Sequence, residues 1–229
     1  MDEKARFRPA LFAFLRDLKR NNDRDWFQAN KARYETDVKA PLLAFIDEFA
    51  IPLGKISMSF VADPRPVGGS MFRIYRDTRF SKDKSPYKTH AAVQFRHRRG
   101  KDVHAPGFYL HLEPGQVFAG MGMWHPDGPS LAKIRQAIVD EPKAWKRCIS
   151  GKAFREKLVL GGDSLKRPPR GFDPDHPLIE DLKRKDFICS LEFTEKQACA
   201  AGFTGELARS FRAGAPFMRF LTEAVGLEF

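Results

Sequence analysis

Residues 72–90, FRIYRDTRFSKDKSPYKTH, hold the side chains of this chain best equipped for chemistry. Arg73, Arg76, Arg79, Lys82, Lys84 and Lys88 stand there against only Asp77 and Asp83. Arginine presents a planar fork of donors matched to phosphate or carboxylate, and lysine acts as a mobile point charge. Two carboxylates cannot neutralise six cations, so part of the set is expected to grip an anion. The competing use is structural: Arg–Asp pairs pin the loop and the lysines face water. Tyr87, His90 and His111 add groups able to move protons, because histidine titrates near neutral pH and can act as general acid or base. Trp124 adds an aromatic face. The expected site thus has His90, His111 and Tyr87 as catalytic candidates. Its ligand contacts are Arg73, Arg76, Arg79, Lys82, Lys84, Lys88 and Trp124.

The positive charge is concentrated around this stretch. The 229 residues carry Lys plus Arg 40 against Asp plus Glu 29, a formal net charge of +11. Within residues 65–101, eleven cations (Arg65, the six above, Arg96, Arg98, Arg99 and Lys101) face the same two acids. Such a field raises the local concentration of anionic partners without naming them. A phosphorylated or otherwise anionic small molecule is the first expectation, and a nucleic acid bound by residues 65–101 is the alternative. No RRM-like or helix-turn-helix signature supports the second. Whether the chain is an enzyme, and with which cofactor, is left open.

Other chemistries find little support. The chain lacks GxxxxGK[ST], HExxH and GxSxG patterns. His90, His111 and His125 would converge only if their strands were neighbours, and their spacing matches no ligand motif, so no metal is expected. Asp173, Asp175 and His176 also resemble ligands, but Asp175 reads better as a helix cap before Pro177. Cys148, Cys189 and Cys199 form no CxxC pair, which points to free thiols in a reducing cytoplasm. The longest apolar run, PLLAFI at residues 41–46, is far short of a membrane span, and the N-terminus MDEKARFRP is no secretory signal.

These side chains need a scaffold, and hydrophobic periodicity supplies one. Phe7, Leu11, Phe14, Leu15 and Leu18 share one helical stripe. Asp25 and Gln28 suggest a capping box for a second helix, and Pro41 kinks it or starts a third. Phe72 and Ile74 alternate with Arg73 and Tyr75 as a half-buried strand, as do Ala91, Val93 and Phe95 with Ala92, Gln94 and Arg96. A long connection joins them. Pro114-Gly115 forms a turn that pairs Leu112 with Val117, Leu110 with Ala119 and Phe108 with Met121. Tyr109, His111, Phe118, Gly120 and Gly122 then share the other face, and the two glycines imply a close neighbour, an aromatic side chain from a covering helix or else a ligand. Helices follow from Ser130, then a strand FICSLEF and capped C-terminal helices. The expected fold is α+β: residues 1–229 as one domain with a central, mainly antiparallel sheet and N- and C-terminal helices packed around it.

The basic stretch, together with NNDRDWF (residues 21–27), APGFYLHLEPG (105–115), LKRPPRGFDPDHP (165–177) and LKRKDF (182–187), resembles domain of unknown function family 2461, of bacterial and fungal proteins. The resemblance runs from about Phe7 to Leu221. It implies one intracellular domain and supplies no catalytic residue to carry over.

Overall fold

A computed structural model describes residues 7–100 and 104–229, so Lys101 lies outside the described residues. Helix α1 (Pro9–Arg20) opens on a proline and buries Leu11, Phe12, Phe14, Leu15 and Leu18. Helix α2 (Arg24–Ala29) is capped not by Asp25 but by Asp23, whose carboxylate accepts the Trp26 amide. Asp23 has the extended backbone of an N-cap, whereas Asp25 is already inside the helix. A short α3 (Lys31–Arg33) runs into a π-helical segment, Tyr34–Lys39, and then α4 (Ala40–Gly54). Pro41 sits in the first turn of α4, where a missing amide is tolerated, and the wider π turns precede it.

Among the described residues six antiparallel strands form one sheet. They are β1 (Phe60–Val61), β2 (Ala91–His97), β3 (Gly107–Glu113), β4 (Gln116–Met123), β5 (Val159–Gly161) and β6 (Phe187–Phe193), in the order β1-β2-β3-β4-β6-β5. The β3–β4 register is the expected one, with Leu112 opposite Val117 and Phe108 opposite Met121. Gly115 has φ +82°, as the third position of a type II turn requires.

Strand alternation sends one side of the sheet into the core. Phe95 stacks on Phe49 of α4 with ring centroids 4.9 Å apart, and Phe108 meets Phe211 at 4.8 Å. Phe211 belongs to α10 (Phe203–Ala213), which with α11 (Ala215–Ala224) closes this side beside α4. Helices α5 (Gly128–Asp140), α6 (Pro142–Ser150) and α7 (Lys152–Lys157) follow β4, and the fully buried Trp145 of α6 packs on Phe187 and Phe217. Short α8 (Ile179–Leu182) precedes β6, and α9 (Glu195–Ala198) follows it with the expected Thr194–Gln197 capping box. The fold is α+β. No helix among the described residues is long and apolar enough to cross a membrane.

Three further local expectations are corrected. Residues 72–74 do not form a strand: the Phe72 amide bonds Ala92 O on the edge of β2, but the chain then turns onto itself. Beyond that point Tyr75 pairs with Tyr87, with hydrogen bonds from Arg76 N to Pro86 O and from Lys88 N to Ile74 O. The partner changes too soon for a ladder to build. Asp175 caps no helix; α8 begins only at Ile179, and Asp175 donates its own amide to the Asp173 carboxylate. The close neighbour of Gly122 is the backbone of β6, since a Cβ there would lie 2.0 Å from Phe187 O, while Gly120 has space.

Candidate functional site

The basic stretch divides among separate tasks. Arg76 forms an ion pair with Asp83, and Arg79 grips Asp77 through two hydrogen bonds of 3.0 and 2.7 Å. The Arg79 fork holds the exposed Asp77 carboxyl down at about 2. Hydrogen bonds from Ser85, then Arg76, push Asp83 down as well. Lys84 donates to Thr78 O within the loop. Lys88 donates to Arg73 O and lies 5.3 Å over the Phe72 ring; its partial burial lowers its pKa. Lys82 is exposed, as is Phe80 at the loop tip. Tyr87 is buried and stacks on Phe27 at 4.1 Å, and burial raises its pKa. It is an anchor of the loop.

Arg73 faces elsewhere. It lines a cleft of about 620 Å³ between the helical segment that supplies Phe27, Lys31, Tyr34, Glu35 and Lys39 and the strap of residues 66–75. Gln94 and Arg96 of β2 complete the lining. Four of these lining residues are cations and one is a carboxylate, and Lys39 is paired with that carboxylate, Glu35. The side chains of Lys31 and Arg73 form no ion pair or hydrogen bond with another described residue. The walls between the cations are largely apolar: Tyr34, Val67, Met71, Phe72, Ile74 and Tyr75. Burial pushes the Tyr34 hydroxyl up to about 12, so it stays neutral and can act as a donor. Gly69 shapes the strap, because a Cβ there would meet Arg65 O at 2.2 Å. The tight turn is closed by hydrogen bonds in both directions between Asp63 and Ser70.

A second group of polar side chains lies on the outer face of the sheet. His90 and His111 have ring centroids 4.4 Å apart, and His111 also stacks on Phe118 across the β3–β4 pair. The Tyr109 hydroxyl is 3.0 Å from His111 Nδ1, and Glu113 Oε2 is 3.3 Å from His111 Nε2. The other oxygen of Glu113 accepts from Thr89 at 2.8 Å, with Lys19 Nζ 3.7 Å away. Burial lowers His90 to about 4, and it lowers His111 too, so both rings are neutral at pH 7. Burial opposes the Glu113 charge, but hydrogen bonds from Thr89 and His111 outweigh it and hold its pKa below the ordinary value. Tyr109 is raised to about 12 by burial.

The expected set therefore occupies four places: Arg76, Arg79, Lys82, Lys84, Lys88 and Tyr87 stay with the basic loop. Arg73 is in the cleft, and His90 and His111 meet on the outer face. Trp124 lies six residues beyond Phe118, about 20 Å along the strand direction. There it stacks on His104 and packs at a tilt against His125. His125 does not join the other histidines; its ring and amide both contact Asp186. Glu113, Lys31 and Tyr34 were not among the expected site residues. Strand alternation is the signal for Glu113, since Tyr109, His111 and Glu113 occupy every second position of β3. Nothing local signals Lys31, which reaches the cleft only through packing of the helical segment on the strap.

The sequence profile of the conserved hypothetical proteins DUF2461 matches residues 10–220 of the chain. The chain belongs to this family. The match takes in every element from α1 into α11, so the residues of the cleft and of the histidine pair all lie within the matched span. Searches of curated proteins and of solved structures returned no match.

Proposed function

We propose that this DUF2461 protein binds a small anionic molecule with an apolar or aromatic body in the cleft beside Arg73. The observation that carries the reading is the pairing pattern of the cations. Arg76 and Arg79 are engaged by the two acids of their loop, whereas Arg73 and Lys31 face an apolar-walled cleft with no carboxylate partner of their own among the described residues. A guanidinium in that position binds carboxylate or phosphate through paired donors, and the aromatic walls cover the rest of the molecule. Arg76, Arg79, Lys82, Lys84 and Lys88 then contribute to the field that draws anions in and to the shape of the loop.

A thermal-shift screen of aromatic carboxylates, nucleotides and sugar phosphates tests this. A ligand at a hundred times its dissociation constant stabilises by about 2.7 kcal/mol. The expected result is a shift that is lost in Arg73→Ala and kept in Arg79→Ala. No shift with any anion, or one indifferent to Arg73, would count against the cleft. Binding to DNA or RNA that weakens steeply with salt and involves Arg98 and Arg99 would favour the nucleic-acid reading instead.

A further inference from the structure

We propose that His90, His111 and Glu113 form a binding site for a divalent transition-metal ion of the zinc class, at the edge of the outer sheet face. Their ligand atoms all lie within 4.8 Å of one another. A tetrahedral centre with bonds of ~2.1 Å needs neighbouring ligands roughly 3.4 Å apart. His111 Nε2 and Glu113 Oε2 already stand at 3.3 Å, so only the half-buried His90 ring has to swing inward.

The surroundings are those of a ligand set. With Nε2 on the metal, His111 Nδ1–H would turn toward the Tyr109 hydroxyl as a donor, and that contact holds the ring's orientation. Stacking on Phe118 holds the ring from its face. Glu113 keeps one oxygen for the metal while Thr89 occupies the other. Two imidazoles and one carboxylate suit zinc and its neighbours better than calcium or magnesium, which favour all-oxygen shells. Three protein ligands leave a position open for water or a further ligand. Such a site does not depend on the cleft at Arg73, which is built from different residues.

The test uses the whole chain after chelator treatment and dialysis. Titrating with Zn2+ by calorimetry, and with Co2+ by visible absorption, should show one ion per chain. Glu113→Gln keeps the side chain's size and its bond to Thr89, and it should weaken Zn2+ binding by at least tenfold. His90→Ala should do the same, and Tyr109→Phe should weaken it about 10–100-fold through the lost support of His111. His125→Ala, outside the cluster, should leave binding unchanged. Absence of saturable Zn2+ or Co2+ binding by the folded wild-type protein would overturn the proposal. So would an affinity unchanged in both Glu113→Gln and His90→Ala when circular dichroism shows both variants folded.

Discussion

Asn22 and Tyr87 exchange two hydrogen bonds: Asn22 Nδ2 donates to Tyr87 O, and Tyr87 N donates to Asn22 Oδ1, each at 3.0 Å. One side chain thus serves the backbone of the basic stretch as a neighbouring strand would. It ties the turn between α1 and α2 to the base of the loop at residues 77–85. The stack of Tyr87 on Phe27 lies beside it. Asn22→Ala leaves both groups of the buried Tyr87 backbone unpaired, and the expected loss is about 1–3 kcal/mol. Urea unfolding should show it as a lower midpoint at unchanged slope. Asn22→Asp restores the acceptor but sets a carboxylate against the Tyr87 carbonyl, so it should recover only part.

The loop's acid pairs give a pH signature. The folded pKa of Asp77 is depressed to about 2 by Arg79, against about 3.9 for an unperturbed aspartate. A depressed carboxylate contributes its pairing above the unfolded value, and the contribution is lost as pH falls from about 4 toward 2. Carboxyl titration by NMR should therefore find Asp77 with a midpoint near 2, rising toward the ordinary aspartate value in Arg79→Ala. A midpoint equal in the two proteins would mean that Arg79 is not bound to Asp77 in solution.

Asp186 is a buried carboxylate that staples two loops. Its oxygens accept the amides of His125, at 2.7 Å, and Asp163, at 2.9 Å. His125 takes a positive φ of 47° there, which costs energy for a residue other than glycine. Asp186→Ala should destabilise by about 3 kcal/mol, because two charge-assisted bonds from the buried carboxylate to part-buried amides are lost. Gly162→Ala should also destabilise. Gly162 has φ +92°, and a Cβ there would lie 2.4 Å from that of Asp186. Thermal melts of the two variants check both.

Much of the scaffold could be read from the chain because it rests on periodicity. The β3–β4 register followed from a two-residue turn and alternating apolar residues, and the Phe-rich helical stripes marked the core-facing sides of α1 and α4. Elements defined by few contacts were hidden. β1 and β5 have two and three residues, too short for any period to show. The strap after Phe72 alternates like a strand, yet its hydrogen-bonding partner switches from β2 to its own return limb. Composition identified the basic stretch but could not sort its members. Asp77 and Asp83 chose Arg79 and Arg76 through loop geometry, leaving Arg73 to the cleft. Glu113 was readable in principle as the third member of an alternating Tyr-His-Glu row, but His90 reaches it from another segment.

A crystal structure with the most strongly stabilising anion bound is the most direct test of the cleft. The anionic group should lie roughly 3 Å from the Arg73 guanidinium, as a charge-assisted hydrogen bond requires. The apolar body should rest between Tyr34 and the strap at residues 66–75. An anion seated on the exposed side chains of Lys82 and Lys84, with the cleft holding only solvent, would contradict the proposed function.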